Sequence, residues 1–338
     1  MRPLSWIATL SLAVASCGVV ADYASKPTIL IVSGAAHTPK HFQPLMNLFE
    51  YSGYAVHNPR LPSNALLPPA ESHYRDIDVV RGIAKQLIHE GKRIIVLMHS
   101  YGGVVGTNGL AGLGLEERAR KGLDGGIEWL AYMTATVPTK GEKLNDGPTV
   151  DGAPQPVVNL TIVDNRVSLV LNPEESFYHD LSPEALKMAI AELTGFSVHP
   201  ATVTVQNEAW RHSKVAYLRC DQDRAIYWKA QQAMIDRIVK EGVDVEVTSQ
   251  GVGFESDLET FAENFINGLQ REQPRVTPFI FKEDELVRHA GEPANSGTWS
   301  ETSSNIVTRG AAVRCFEEDT KADGGQSDIL FCWQLRPS

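Results

Sequence analysis

Positive charge is scarce in this chain. Its 31 Lys and Arg residues are outnumbered by 41 Asp and Glu, and the formal net charge is −10 over 338 residues. Neutralising a phosphate backbone requires clustered Lys and Arg, and the sequence contains no such cluster. The composition therefore argues against a nucleic-acid partner.

The sequence also lacks the motifs of common cofactor sites. Its 4 Cys and 10 His residues are scattered without the spacing of metal ligands. Neither a P-loop nor a dinucleotide-binding fingerprint follows a predicted strand. We therefore expect no metal and no cofactor. The oligomeric state is left open.

Cysteine is too rare for a disulfide framework. Cys17 lies in the N-terminal segment, so that Cys220, Cys315 and Cys332 are left for the main chain. An odd number allows at most one internal bridge, and Cys315 with Cys332 is the expected pair in an oxidising compartment.

The N-terminal segment differs from the rest of the chain. Arg2 supplies one positive charge, residues 4–15 are mostly apolar, and small residues follow. This layout is typical of a secretory signal peptide over residues 1–21, and the apolar run is too short for a comfortable membrane span. We expect a chain that is secreted or resident in the secretory pathway, with no stable membrane span after cleavage.

Residues 22–274 alternate strand-like and helix-like segments. Residues 28–33 (TILIVS) and 93–98 (RIIVLM) are apolar on both faces, as buried parallel strands require. Residues 74–88 place apolar side chains at spacings of three and four, which marks one face of a helix. The pattern predicts an α/β fold with a mostly parallel sheet flanked by helices.

Two segments depart from this alternation. Residues 138–212 are rich in Pro, Gly and Asn and contain one clear helix start, at Ser182 and Pro183. We interpret them as a cap inserted over the sheet. Residues 275–338 are polar and show no helical stripe, and they predict a C-terminal extension of unknown role.

The strongest chemical motif is Met98-His99-Ser100-Tyr101-Gly102-Gly103, directly after a predicted strand. It resembles the G-x-S-x-G elbow, in which a tight strand-to-helix turn exposes a nucleophilic serine. The trailing glycine is present and Met98 replaces the leading one. Ser100 is therefore the candidate nucleophile.

A second loop, Ser33-Gly34-Ala35-Ala36-His37, follows the first strand of the core. In an elbow architecture such a loop supplies one oxyanion N–H, and the residue after the nucleophile supplies the other. The backbone amides of Ala35 and Tyr101 are the candidates.

These motifs, together with LPS (61–63), FYHDLSPE (177–184) and CDQDRAI (220–226), resemble the α/β-hydrolase family common in fungi, which is related to small esterases and hydroxynitrile lyases. The resemblance extends over residues 27–270. It implies the α/β-hydrolase fold, Ser100 as nucleophile and Asp223 as the triad acid, with Asp221 as the alternative. Members of this family act on small molecules in secondary-metabolite pathways.

The chain departs from the family pattern at the catalytic histidine. The resemblance places that histidine after the last core strand, where this sequence has Gly251. Without an imidazole, the Ser100 hydroxyl has no base to take its proton. His37 is the leading substitute, as an acid or base or as a ligand contact. His289 in the tail and His99 are further alternatives, and we interpret the remaining histidines as surface or packing residues.

Three functions follow as hypotheses. The first is a serine hydrolase or esterase acting on a small organic ester, lactone or thioester. The second is a non-hydrolytic cyclase or lyase that uses the same pocket, with His37 moving protons. The third is a non-catalytic ligand-binding protein.

Overall fold

The structure is a computed structural model, and it describes residues 26–64, 71–148, 150, 158–250, 265, 304–308, 311–317 and 330–335. The chain divides into two compact units, Met1–Leu269 and Gln270–Ser338. The predicted signal peptide lies outside the described residues. Within the described ranges, no helix has both the length and the apolar character needed to cross a membrane.

The first unit is built on a six-stranded parallel sheet with the order β2-β1-β3-β4-β8-β9. The strands are β1 (Thr28–Val32), β2 (Val56–His57), β3 (Arg93–His99), β4 (Gly126–Met133), β8 (Lys214–Cys220) and β9 (Val245–Gln250). The predicted parallel sheet is confirmed.

Both faces of this sheet are buried because successive side chains of a strand point to opposite sides. Along β1, Leu30 and Val32 enter one apolar cluster, whereas Ile29 and Ile31 enter the other. The long helices cover these faces. They are α1 (Gln43–Tyr51), α2 (Tyr74–His89), α3 (Gly102–Gly109) and α7 (Trp228–Lys240), and a short helix α4 (Leu115–Ala119) precedes β4.

The strand order fixes where the site lies. The chain runs from β1 outward to β2 and then returns to place β3 on the other side of β1. In open α/β sheets, ligands bind at such a reversal, outside the carboxyl ends of the strands. The loop after β1 and the turn after β3 are the two predicted parts of the site, and both leave the sheet at this edge.

The segment between β4 and β8, called the inserted segment below, contains a second, antiparallel sheet that the sequence did not predict. Its order is β5-β6-β7, with β5 (Leu160–Val163), β6 (Val167–Val170) and β7 (Phe196–Ser197). Helices α5 (Pro173–Ser176) and α6 (Pro183–Glu192) lie between β6 and β7. The predicted helix start is confirmed, since the Ser182 hydroxyl accepts from the Ala185 amide at 3.3 Å.

The second unit contains a three-stranded antiparallel sheet of β10 (Ser304–Thr308), β11 (Ala311–Glu317) and β12 (Leu330–Leu335). The sequence does not predict these strands, because they are short and lie in a polar, weakly patterned part of the chain. The backbone register of β11 and β12 places Cys315 opposite Cys332. That register is compatible with the expected bridge.

Candidate active site

Ser100 occupies a sharp turn between β3 and α3. Its φ of 50° lies in the left-handed region that non-glycine residues seldom adopt. Its carbonyl oxygen accepts from the amides of Gly103 at 3.0 Å and Thr136 at 3.1 Å. These bonds hold the turn, and the Ser100 side chain is half-buried at the mouth of a pocket.

Small residues are required around this turn because the backbone approaches itself closely. A Cβ on Gly102 would lie 2.2 Å from the carbonyl oxygen of Val32, and a Cβ on Gly103 would lie 2.0 Å from that of Thr136. Both distances are far inside van der Waals contact. The Gly-Gly pair of the motif therefore has a steric explanation.

Met98, which stands where the motif has its leading glycine, is accommodated by a third glycine. Its side chain is fully buried, and its Sδ lies 2.1 Å from the position that a Cβ on Gly106 would occupy. The thioether thus uses the space that a side chain on α3 would fill. The side chain of Met98 at the leading glycine position is therefore accommodated by the absence of a side chain at Gly106, one helical turn after Gly102.

The loop after β1 is pinned by a buried amide side chain. Ala36 has a φ of 64°, and its N–H donates to Asn64 Oδ1 at 2.8 Å. The Asn64 Nδ2 group donates to the carbonyl oxygens of Gly34 and His37, both at 2.8 Å. Three hydrogen bonds from one side chain therefore set the shape of the predicted oxyanion loop.

The two predicted oxyanion donors are available in this arrangement. Within the part of the chain that the structure describes, neither the Ala35 amide nor the Tyr101 amide donates to a protein acceptor. The Tyr101 side chain points away from the pocket, because its hydroxyl donates to the buried Asp76 Oδ2 at 2.5 Å. Burial raises the pKa of Asp76, and the bonds from Tyr101 and Ser63 partly counteract this.

Asp223 lies in the turn after β8 and lines the pocket with Ser100. Its Oδ1 accepts from the amides of Ala225 and Ile226, both at 2.7 Å, and its Oδ2 accepts from the Thr134 hydroxyl. Burial raises the pKa of Asp223, while these hydrogen bonds lower it. The alternative acid, Asp221, instead pairs with Arg219 at 2.8 Å.

The pocket is formed by the strand ends and by the part of the inserted segment that lies between β6 and β7. The residues from the sheet side are Ala35, His37, His99, Ser100, Thr134, Asp223, Arg224, Ala225 and Ile226. The residues from the inserted segment are Ser176, Phe177, Tyr178 and His179. A serine hydroxyl, a carboxylate and several imidazoles therefore line one space.

His37 lines this pocket with both ring nitrogens engaged. Its Nδ1 lies 2.7 Å from the Ala35 carbonyl oxygen, to which it donates, and its Nε2 lies 3.1 Å from the Tyr178 hydroxyl. Burial lowers the pKa of His37 well below its ordinary value, and the neighbouring His41 and His99 lower it further. His37 is therefore a neutral imidazole held in a fixed orientation.

His41 and His99 surround His37. The ring centroids of His37 and His41 are 4.7 Å apart, and those of His37 and His99 are 5.3 Å apart. Burial lowers the pKa of His99 to about 3. His41 accepts from the Thr38 amide at 3.0 Å and donates to the Ala189 carbonyl of α6 at 3.0 Å, so that it ties the loop to the inserted segment.

His179 is among the histidines that the sequence assigns to the surface or to packing, yet the structure places it in the pocket wall. It belongs to the FYHD stretch that carried part of the family resemblance. That stretch is the available signal, but its place in the pocket that Ser100 lines depends on how the inserted segment folds. Gly251 and His289 lie outside the described residues.

In the described ranges, no group of three or more His, Cys, Asp or Glu side chains could hold a metal ion. The chemistry that this arrangement can perform is nucleophilic and acid–base chemistry, with a serine, a carboxylate and neutral imidazoles.

The fold and the serine turn together define an α/β-hydrolase-fold protein. Residues 29–263 match the model of the Alpha/beta hydrolase family, which covers more than half of the chain. The chain belongs to that family and is an enzyme of the α/β-hydrolase fold. The family resemblance seen in the sequence is confirmed.

Two fungal proteins are similar in sequence. The alpha/beta hydrolase nvfD of Aspergillus novofumigatus is 28% identical over 214 residues, covering 60% of this chain and 80% of that protein. The probable hydrolase R7 of a Phoma species is 26% identical over 236 residues, covering 66% of this chain and 88% of that protein.

Solved structures share the fold at low identity, and each covers 73% of this chain. A pyrethroid hydrolase from Sphingobium faniae has a TM-score of 0.54 at 20% identity and is 98% covered. Polyneuridine aldehyde esterase has a TM-score of 0.55 at 15% identity and is 100% covered. Tomato methylketone synthase I, complexed with 2-tridecanone, has a TM-score of 0.55 at 13% identity and is 98% covered.

Proposed function

We propose that this protein is a serine hydrolase that acts on a small organic ester, lactone or thioester. The observation that carries the proposal is the left-handed backbone of Ser100 at the β3–α3 turn, which presents its hydroxyl to a pocket that Asp223 also lines. Two solved structures of the same fold are named as a hydrolase and an esterase, which agrees with this reaction class.

In the proposed reaction, the Ser100 oxygen attacks the carbonyl carbon of the substrate. The amides of Ala35 and Tyr101 donate to the oxygen on which negative charge develops. Each such donor contributes roughly 10²–10³-fold in rate. Phe177, Ala225 and Ile226 give the pocket an apolar wall suited to an uncharged acyl group.

The test is active-site labelling of the purified protein with a fluorophosphonate probe, together with hydrolysis of p-nitrophenyl acetate. We expect Ser100→Ala to abolish labelling and to lower the hydrolysis rate by at least roughly 10³-fold, because the nucleophile is removed. The matched control is Ser52→Ala, a half-buried serine at the end of α1 and outside the pocket. A wild-type protein that neither labels nor hydrolyses contradicts the proposal.

A second candidate is a non-hydrolytic cyclisation or elimination in the same pocket. The observation in its favour is the hydrogen-bonded pair of His37 and Tyr178, which offers a proton donor and acceptor beside the predicted oxyanion donors. One structure of this fold is named as a synthase rather than a hydrolase. Absence of Ser100 labelling in a folded protein would favour this candidate over hydrolysis. Secretion and a place in secondary metabolism stay predictions of the sequence.

A further inference from the structure

A histidine from the inserted segment faces the serine pocket. His179 lies between α5 and α6, far from Ser100 and Asp223 along the chain, yet all three side chains line the same pocket. Serine, histidine and aspartate are the three residue types of a hydrolytic triad, which is recognised by geometry and role and not by order in the chain.

The imidazole of His179 has no competing role among the described residues. Both of its ring nitrogens are shielded from solvent, and neither has a hydrogen-bond partner there. Both carboxylate oxygens of the adjacent Asp180 are in the same condition. Buried polar atoms are normally satisfied, and exceptions call for an explanation such as a catalytic role. Because His179 lines the pocket together with Ser100, its imidazole is placed to take up a hydrogen-bond partner when substrate binds.

His37, the other imidazole at the pocket, is already committed. Its Nδ1 donates to Ala35, and its Nε2 lies against the Tyr178 hydroxyl. To take a proton from Ser100, His37 would have to break the contact with Tyr178. Its bond to the Ala35 carbonyl instead suits it to orient the predicted oxyanion loop.

We propose that His179 is the general base that takes the proton of Ser100, replacing the histidine that the family places at the position of Gly251. The proposal rests on the proposed serine-hydrolase function. In this triad, Ser100 and Asp223 come from the strand ends and His179 comes from the inserted segment. The hydrogen bond from Ser100 to His179 forms in the substrate complex, since catalytic hydrogen bonds are often long in unliganded structures.

The proton transfers balance through both halves of the reaction. The Ser100 proton moves to a ring nitrogen of His179 as the oxygen–carbon bond forms and the carbonyl electron pair moves onto its oxygen. His179 then returns the proton to the departing alcohol oxygen as its bond to carbon breaks. Water then attacks the acyl carbon while His179 takes a proton from it. His179 returns that proton to the Ser100 oxygen as the carboxylic acid departs.

The charges around His179 fit this role. Burial lowers the pKa of His179, so that the ring is neutral and able to accept a proton at neutral pH, and the Asp180 carboxylate partly counteracts that shift. The same carboxylate would stabilise the imidazolium formed during the reaction. The guanidinium of Arg224 opposes the effect of Asp180 by lowering the pKa of His179, which keeps the resting ring neutral.

The test compares His179→Gln and His179→Gly with wild type in hydrolysis of p-nitrophenyl acetate and in the rate of fluorophosphonate labelling. We expect both variants to lose roughly 10²–10⁴-fold in kcat/KM, as for the loss of a general base. Imidazole added to His179→Gly should restore part of the rate, which a merely structural role would not show. The matched control is His199→Gln, an exposed histidine of the same segment, which should stay at the wild-type rate.

The outcomes separate this proposal from the proposed function. If wild type labels at Ser100 and folded His179→Gln keeps the wild-type rate, His179 is not the base, and the serine-hydrolase function stands. If the variants lose activity and imidazole restores none of it, the general-base role is overturned as well. If wild type neither labels nor hydrolyses, both proposals fail. Circular dichroism and the thermal midpoint of each variant report whether it is folded.

Discussion

Backbone strain at the scale of single residues is concentrated around the pocket. Among the described residues, five non-glycine residues have a positive φ, and three of them, Ala36, Ser100 and Thr134, follow the neighbouring strands β1, β3 and β4. Such conformations cost about 1–3 kcal/mol each and persist where surrounding contacts impose them. Strain of this kind clusters at functional sites. Here it occurs in the loop at Ala36, at Ser100 and at Thr134, whose hydroxyl donates to Asp223, and all three follow the carboxyl ends of neighbouring strands.

The glycine beside Ser100 gives a sharp test of this packing. We expect Gly102→Ala to lower the free energy of unfolding by about 2–3 kcal/mol, because its Cβ would lie 2.2 Å from the Val32 carbonyl oxygen. The matched control is Gly82→Ala in the middle of α2, where nothing lies within 4 Å of the added Cβ.

The control should gain about 0.5–1 kcal/mol, since alanine has the higher helix propensity. Urea unfolding followed by circular dichroism measures both variants. Equal effects of the two substitutions would show that the close approach at the serine turn is not real.

At the scale of elements, the loop after β1 is held from two directions. The side chain of Asn64, in the single helical turn at Pro62–Asn64, forms hydrogen bonds with three backbone groups of this loop. Thr194, which follows α6 in the inserted segment, donates its amide to the Ala36 carbonyl at 3.0 Å and its hydroxyl to the Asn64 carbonyl at 3.1 Å. The predicted oxyanion loop is therefore fixed by the core on one side and by the insertion on the other.

Removing the Asn64 side chain should disturb both stability and the site. Asn64→Ala leaves one buried N–H and two buried carbonyls without that partner, and we expect a loss of about 3 kcal/mol in unfolding free energy. The rate of fluorophosphonate labelling at Ser100 should fall with it, because the Ala35 amide loses its support.

The control for this substitution is Asn47→Ala on the exposed face of α1, whose side chain bonds only to Gln43 among the described residues. It should change the unfolding free energy by less than about 0.5 kcal/mol. A folded Asn64→Ala protein that labels at the wild-type rate would rule out the positioning role.

At the scale of the whole molecule, buried neutral histidines couple stability to pH. His99 is 7% exposed, and burial lowers its pKa to about 3 in the folded chain. Between the ordinary pKa of about 6.5 and that value, the unfolded chain binds a proton at this residue and the folded chain does not. Stability from His99 is therefore present above pH 6.5 and is lost as the pH falls below it.

A comparison of wild type with His99→Gln isolates this effect. Between pH 7 and pH 5, wild type should lose about 2 kcal/mol more unfolding free energy than the variant, whatever the starting stability of each. Denaturant unfolding at several pH values gives the two slopes. His199→Gln, which removes an exposed histidine, should keep the wild-type slope. Identical slopes for wild type and His99→Gln would show that His99 titrates normally in the folded protein.

The central architecture could be predicted from patterns that are local in the sequence. Runs such as Thr28–Val32 are apolar on both faces, and only a sheet covered on both sides buries them. The helix stripe at Tyr74–His89 and the serine motif after β3 are likewise local patterns, readable from neighbours along the chain. Local patterns of this kind are why the α/β-hydrolase fold could be predicted, and the sheet topology and the family match confirm it.

The features that local patterns do not predict depend on residues distant in the chain. The antiparallel strands of the insertion and the second unit were missed, because their short, weakly patterned segments pair through contacts that no local period encodes. The same holds for the side chains at the site. Tyr101 turns inward because Asp76 lies there to bond it, and His179 reaches the pocket because the insertion folds over the strand ends. Which imidazoles line the pocket is a property of packing, and packing is set by the whole chain.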